Sequence, residues 1–462
     1  MFEPLKTFGQ SRRVHFVGIG GIGMSGIAEL LINLGFMVSG SDVQLSPVTK
    51  RLEQLGARIH KGHRGDHVTG ADVVVYSSAV KMDNPEIQKA LALKIPVIRR
   101  AEMLGELMRL KLGIGVAGTH GKTTTSSMVG LVLQEGGLDP TLIVGGKLKA
   151  LGTNTKLGAG PYLVVEADEF DRSFLQLTPT MVVVTNIETE HLDCYEDLEE
   201  IKSTFVQFIN KVPFYGSVIL CLDEMALQEI MPRVERRIIT YGLNPQSDIR
   251  ALDAVFREQY TEFTVISKSR NLGRIKIQLP GIHNVKNSLA AIAVGLELQI
   301  DFTNIRKALE KFAGVHRRFE IKGDVKGVLV VDDYAHHPTE IKASLRAAQE
   351  GWGRRVIAVF QPHLYTRTRD FYQEFGQSFF NADILVVTDI YPAREEPIPG
   401  ITGELVAEAA RSVGHRHVLY IPDKEDVVDR LSELISENDL VITLGAGDIY
   451  KTGEALIKKM GS

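Results

Sequence analysis

The chain has 462 residues, 44% of them apolar, with 53 basic against 57 acidic side chains and a formal net charge of −4. At about 150 residues per domain this predicts roughly three domains, and the balance excludes disordered, collagen-like and coiled-coil classes. No basic surplus points to nucleic acid. Cys194 and Cys221 lack CxxC spacing and cannot form a disulfide framework, which points to a reducing compartment. No apolar run reaches the roughly 18 residues of a spanning helix, and Met1 to Gln10 carries no signal-peptide stretch. The expectation is a cytoplasmic protein without membrane or nucleic-acid partners, a monomer or weak homo-oligomer.

In chain order, Val14–Val17 reads as a buried strand, then a glycine-rich turn, then a helix over Met24–Asn33. Phe36–Gly40, Val73–Tyr76 and Pro96–Ile98 are further strands, with a helix over Pro85–Leu93. A second block opens at Leu112–Ala117, again strand, glycine and helix, and continues with the apolar runs Tyr162–Val165 and Met181–Val184. Unbroken apolar runs of that length suit strands covered on both faces. Phe263–Ile266 and Arg274–Leu279 alternate instead, joined by a turn at Ser269–Gly273, and read as a small antiparallel addition. A helix follows at Asn287–Leu298. The third block has strands at Val328–Val331, Val356–Phe360, Ile384–Thr388, His417–Ile421 and Leu440–Leu444. Strands alternating with helices predict an α/β protein with mostly parallel sheets. Its three domains are a Rossmann-like domain (1–109), a central phosphate-loop domain with the antiparallel addition (110–314), and a second Rossmann-like domain (315–462).

Two glycine-rich turns carry the chemistry. Ala117-Gly118-Thr119-His120-Gly121-Lys122-Thr123-Thr124 follows a strand and opens a helix, the context of a phosphate-binding loop. Backbone N–H groups and the helix dipole would face the phosphates there. Lys122 would reach the β- and γ-phosphates of ATP, and the Thr123 hydroxyl would bind Mg²⁺. The longer motif's first glycine is replaced by Val116. Gly18, Gly20, Gly21 and Gly23 satisfy GxGxxG, with Asp42 ending the next strand. Such a turn binds a pyrophosphate whatever is attached to it. Taken alone it equally suits an NAD-dependent dehydrogenase, but a dehydrogenase has no need of a second, ATP-binding loop. Ser77 and Ser78 end another strand beside the same crevice. Glu166 ends the strand from Tyr162, where a carboxylate suits Mg²⁺, and Asp168 and Glu169 are equally placed on spacing alone.

The shortened loop GTHGKTTT resembles the Mur ligase family. So do His15-Phe-Val-Gly-Ile-Gly-Gly-Ile-Gly-Met-Ser25, Glu166-Ala-Asp-Glu169, Thr185-Asn-Ile-Glu188 with His191, and His283-Asn-Val-Lys-Asn287. His316-Arg-Arg-Phe319, Asp332-Asp-Tyr-Ala-His-His-Pro338, Gln361-Pro-His363 and Gly445-Ala-Gly-Asp448 follow in the family's order. The resemblance covers the whole chain. It implies an ADP-forming ligase that attaches L-alanine to the lactyl carboxylate of UDP-N-acetylmuramate through an acyl phosphate, in bacterial peptidoglycan precursor synthesis. A recycling ligase that adds a preformed tripeptide to the same nucleotide sugar is the nearest alternative.

The resemblance assigns residues as follows. The glycine turn with Asp42 would hold UDP. Gly118 to Thr124 would hold ATP with Asn284 and Asn287 near the adenine, and Arg318 and Asp332 toward the phosphates. Thr123, Glu166 and His191 would hold Mg²⁺. Tyr334, His336, His363 and Arg367 would form the amino-acid pocket, with Lys122, His336 and Arg367 catalytic. Asn284 also reads as a helix N-cap. His336 suits proton transfer near neutral pH, and Arg367 suits a carboxylate bidentately. Many relatives carry arginine in place of Leu364. Several also carry a carbamylated lysine where this chain has Phe205, so carbamylation is not expected, although Lys202 lies nearby.

Overall fold

The computed structural model describes residues 11–77, 79–146, 155–192, 194–393 and 395–461, with the backbone alone at Ile22. Of the expected site residues, Ser78 lies outside them. The chain folds into two compact units. The first comprises Met1–Ala251, Val265–Leu272 and Lys286–Leu309; the second comprises Leu252–Thr264, Gly273–Val285 and Glu310–Ser462. Three sheets, one per expected domain, therefore stand in two units.

In the first unit, β1 (Arg13–Val17), β2 (Met37–Asp42), β3 (Arg58–Lys61), β4 (Val73–Tyr76) and β5 (Val97–Arg99) form one sheet in the order β3-β2-β1-β4-β5. Every pair is parallel. The reversal of strand order at β1 places the glycine turn, which follows β1, at the crevice where doubly wound sheets bind nucleotides. β3 has two exposed ends and two partly buried central residues, so it has no apolar run by which a sequence reading would find it.

The second sheet is built on β6 (Leu112–Ala117), β7 (Thr141–Ile143), β8 (Thr155–Lys156), β9 (Tyr162–Glu166), β10 (Met181–Val184), β11 (Ser217–Cys221) and β12 (Ile238–Gly242). β6 lies between β9 and β10. Its register sets Val116 opposite Glu166 and Ala117 opposite Val184. The loop after β6 is thus flanked by an acid on one side and Thr185-Asn186 on the other. β13 (Ile249–Arg257) pairs in parallel with β12 through Tyr241 and Ile249, and β14 (Tyr260–Ser267) and β15 (Arg270–Ile277) follow along the chain.

The hairpin turn here differs from expectation. It occupies Lys268-Ser269 alone, both at positive φ (45° and 69°), and Arg270–Gly273 continue in strand. A two-residue loop needs two successive left-handed residues, a role the sequence reading gave to the segment ending in Gly273. The helix expected at Asn287 starts earlier, at Ile282. Asn284 therefore lies inside it and is not the N-cap.

The helix Lys122–Glu135 that follows the phosphate loop buries ten residues from Thr123 to Leu133, including Ser126 and Ser127. Hydroxyls survive there because each bonds back to its own helix: Ser126 Oγ donates to the Lys122 carbonyl at 2.8 Å and Ser127 Oγ to the Thr123 carbonyl at 2.6 Å. The helix Leu198–Ile209 starts at Asp197, whose carboxylate accepts from Glu200 N at 2.8 Å. Its buried face includes Ile201, Phe205 and Phe208, and both rings lie against Phe174. Phe205 is thus core. Lys202 is ion-paired with Glu199 and Glu229, and its hydrogen bonds to them raise its pKa, the opposite of the neutral amine that carbamylation needs.

The second unit carries β16 (Glu320–Val325), β17 (Val328–Asp333), β18 (Arg355–Phe360), β19 (Ile384–Val387), β20 (Val418–Tyr420) and β21 (Asp439–Leu444) in the order β16-β17-β21-β18-β19-β20. Only the edge strand β16 runs antiparallel. Its side chains are mostly half-buried, and it too escapes an apolar-run reading. Cores lie on both faces of this sheet, one around Phe360, Phe375 and Phe379 and one around Ile357, Val386 and Leu431. Among the described residues no helix is long and apolar enough to cross a membrane.

Candidate active site

The loop after β6 is built on two glycines at which a side chain would be strained and crowded. Gly118 has φ +128°, and a Cβ there would lie 2.1 Å from Thr185 Oγ1. Gly121 is left-handed at φ +80°, and a Cβ there would lie 2.8 Å from Asn287 Oδ1. The residues after β10 hold the loop in place. His120 N donates to Asn186 Oδ1 at 2.8 Å, Thr185 Oγ1 and Asn186 Nδ2 donate to the His120 carbonyl at 2.5 and 3.2 Å, and Glu188 N donates to Thr119 Oγ1 at 2.9 Å. Thr125 Oγ1 donates to Asn287 Oδ1 at 3.1 Å. Asn287 thus touches the helix that carries the loop.

Lys122 Nζ donates to the Gly118 and Thr119 carbonyls at 2.7 and 3.2 Å and to both Glu169 oxygens at 2.9 and 2.8 Å. Burial opposes its charge, but Glu169, Asp168 and Glu190 outweigh burial and raise its pKa. Burial pushes the Glu169 carboxyl up to about 7 against the pull of Lys122, with Asp168 and Glu190 adding to the rise. The sequence placed Glu169 among three equal acids. Its role as the lysine's counter-ion was not legible, because the partners are 47 positions apart.

Thr123 Oγ1 lies 2.9 Å from each Glu166 oxygen, and Gly145 N donates to Glu166 Oε2 at 2.6 Å. His191, left-handed at φ +58°, groups with Asp168 and Glu169, with one ligand atom of each within 4.8 Å of the others. The expected metal donors therefore divide into Thr123 with Glu166, and His191 with the other two acids. Both sets are hard-oxygen-rich donors that fit Mg²⁺.

At the glycine turn, Gly18 N and Ile19 N donate to the Ser41 carbonyl at 2.9 and 3.0 Å. Gly20 N donates to Asp42 Oδ2 at 2.8 Å, so Asp42 also shapes the turn. Gly21 precedes the helix that contains Gly23. A Cβ on Gly18 would lie 3.4 Å from Ser77 Oγ, which puts Ser77 against the turn.

In the second unit, ionisable groups gather at the carboxyl ends of β17, β18 and β21. Asp332 and Asp333 belong to β17 itself. Burial raises both pKa values, that of Asp333 to about 6, although Arg318 pulls on it. Asp332 accepts from Thr443 Oγ1 at 2.8 Å and from Arg317 Nε at 3.1 Å. Arg317 also donates to the Gly445 and Gly447 carbonyls, so this arginine is a structural bolt. Arg318 pairs with Glu340 at 3.2 Å and lies 5.3 Å from the Tyr334 ring centre. Asn284, also in this unit, donates from Nδ2 to the Pro280 carbonyl at 2.7 Å.

His336 Nδ1 is 2.9 Å from the Tyr334 carbonyl. A carbonyl only accepts, so Nδ1 carries a proton, and the same nitrogen lies 3.3 Å from Glu340 Oε2. The His336 and His363 rings are 6.1 Å apart, and Arg367 Nη1 lies 3.2 Å from His363 Nδ1. The second unit therefore brings Tyr334, His336, His363 and Arg367 together. Between the last two sits Leu364, at φ +73° and ψ 136°, a region that β-carbon-bearing residues avoid.

Comparison with known proteins agrees with this geometry. Residues 13–112 match the Mur ligase family, catalytic domain; residues 116–295 the Mur ligase middle domain; and residues 317–447 the Mur ligase, glutamate ligase domain. The UDP-N-acetylmuramate–L-alanine ligase of Geotalea daltonii is 55% identical over 453 residues, 98% of this chain and 99% of the relative. That of Salinibacter ruber is 56% identical over 454 residues, 98% and 96%. The crystal structure of the UDP-N-acetylmuramate-alanine ligase of Thermotoga maritima superposes with a TM-score of 0.81 at 29% identity, covering 97% of this chain and 99% of that one. A murein peptide ligase from Psychrobacter arcticus gives 0.71 at 26%, covering 98% and 99%. These matches do not favour a dehydrogenase, and the chain belongs to the Mur ligase family.

Proposed function

We infer that this protein joins L-alanine to the lactyl carboxylate of UDP-N-acetylmuramate with conversion of ATP to ADP and phosphate, as a step of peptidoglycan precursor synthesis. The observation that carries the reading is a phosphate loop whose lysine and threonine face an acidic row, in a chain more than half identical, end to end, to ligases named for that reaction.

A carboxylate is a poor electrophile, so it must first be activated. Transfer of the γ-phosphoryl group of ATP to a lactyl oxygen makes an acyl phosphate and releases ADP. Positioning and charge neutralisation supply most of the rate. Lys122, pre-charged and held at the loop by Glu169, is placed to turn its ammonium toward the phosphates. Thr123 and Glu166, with His191, Asp168 and Glu169 as a second donor set, would hold Mg²⁺, which supplies further neutralisation of the triphosphate. The alanine amine then attacks the acyl carbon, phosphate leaves and an amide remains. His336 Nε2 accepts the amine proton, and Arg367 holds the amino acid's carboxylate. Water would hydrolyse the acyl phosphate, so the reaction needs an enclosed volume. The glycine turn with Asp42 and Ser77 holds the UDP moiety.

Phosphate release tests this directly. It should require protein, ATP, Mg²⁺, UDP-N-acetylmuramate and L-alanine together. Equal release when a preformed tripeptide replaces L-alanine would favour the recycling activity of the murein peptide ligases.

A further inference from the structure

The first unit holds a cavity of about 1000 Å³ that the proposed reaction leaves unused. Its walls come from the far ends of the elements that carry the two glycine-rich turns. The helix Ile22–Asn33 begins at the first turn and ends at the cavity, where it contributes Leu30 and its C-cap residue Leu34. β6 starts at the cavity with Leu112 and ends at the phosphate loop. Leu107 and Met108 close the helix Arg100–Met108, and Leu163 comes from the start of β9. The six residues of β6 span about 20 Å of extended chain, so a ligand in this cavity does not reach the phosphates. The six side chains named are apolar, and a volume of this size suits a small organic molecule.

One cation breaks the apolar wall. Lys111 Nζ donates to the Gly158 and Gly160 carbonyls at 2.8 and 2.7 Å. The segment that supplies both carbonyls is fixed by close packing, because a Cβ on Gly158 or Gly160 would overlap the Asp139 or Leu138 carbonyl. An ammonium has three N–H groups, and the third has no acceptor among the described residues. The other charged residues of the lining have partners of opposite charge. Asp139 accepts from Lys156 Nζ at 3.1 Å and from Ala159 N at 2.7 Å, and Arg109 pairs with Glu106 at 3.2 Å. Lys111 has carbonyls alone, and burial lowers its pKa against the pull of Asp139. A partly buried charge without a counter-ion gains most from a ligand that brings one. We propose that this cavity is a second ligand site that takes an amphiphilic carboxylate, with an apolar body among the leucines and its acid group on Lys111 Nζ. The site is separate from both glycine-rich turns and does not depend on which ligase reaction the protein performs.

Calorimetric titration of the full-length protein with decanoate, below its micellar concentration and with ADP and UDP saturating, tests this. The wild type should bind one decanoate per chain, at least about tenfold more tightly than decylamine, the cationic amphiphile of the same chain length. Lys111→Gln should weaken decanoate binding at least about tenfold. Leu34→Trp, which fills the cavity from a partly buried position, should abolish it. Both variants should keep the wild-type affinity for ADP. No saturable binding of decanoate by the wild type overturns the inference, as does equal binding of decylamine or a decanoate affinity unchanged in either variant.

Discussion

Lys122 and Glu86 illustrate what single residues contribute. Lys122 is committed to a buried ion pair with Glu169, so removing it does two separable things. Lys122→Ala should lower turnover by at least about a hundredfold, because the loop loses the one ammonium it carries toward the phosphates. It should also destabilise the fold by removing the ammonium that bonds both oxygens of the buried Glu169 carboxylate. Lys122→Met combined with Glu169→Gln should recover the melting temperature without recovering turnover. If the double variant regained activity, the lysine would not be the phosphate-binding group. Burial opposes the charge of Glu86, but hydrogen bonds from His15, Ser41 and His67 hold the carboxyl at about 2 against an ordinary 4.5, so between those pH values the folded protein binds fewer protons than the unfolded chain. Its contribution, about 3 kcal/mol, is present above pH 4.5 and is lost as pH falls toward 2. Denaturant unfolding should show the gap between wild type and Glu86→Gln shrinking by about 2 kcal/mol from pH 7 to pH 3. An unchanged gap would mean that the carboxyl titrates normally.

Among the elements, the phosphate-loop strand and helix and the apolar strands β9, β10 and β17 were legible, because unbroken valine runs and glycine punctuation are local signals. β3 and β16 were not, since half-buried edge strands carry no apolar run. The hairpin turn was misplaced because Lys268 and Ser269 adopt positive φ without a glycine to announce it. The site showed the same division. Gly118, Lys122 and Thr123 announce themselves by spacing, whereas Glu166 is not separable from Asp168 and Glu169 by spacing, and the Glu169 counter-ion and the Asn186 buttress arise only when strands pair. Leu364 is strained by its place between the elements that position His363 and Arg367. Glycine normally destabilises relative to alanine, but here Leu364→Gly should have the higher unfolding free energy in denaturant titration than Leu364→Ala, by about 1–3 kcal/mol. The ordinary order, alanine above glycine, would show that the backbone at this position is relaxed.

On the scale of the whole molecule, the two units carry different groups. The first carries both glycine-rich turns and the acidic row, and the second carries the cluster of Tyr334, His336, His363 and Arg367. The three strand–helix blocks were legible as alternating strands and helices and agree with the three domain matches, whereas the sharing of the strands between Ile249 and Ile277 by the two units was not. The central claim is that the lactyl carboxylate is phosphorylated before the amine attacks. Labelling both oxygens of that carboxylate in UDP-N-acetylmuramate with ¹⁸O, running the reaction with ATP and L-alanine, and taking the mass of the released phosphate measures this directly. The account predicts one ¹⁸O in each phosphate and one in the new amide, and phosphate free of ¹⁸O would contradict it.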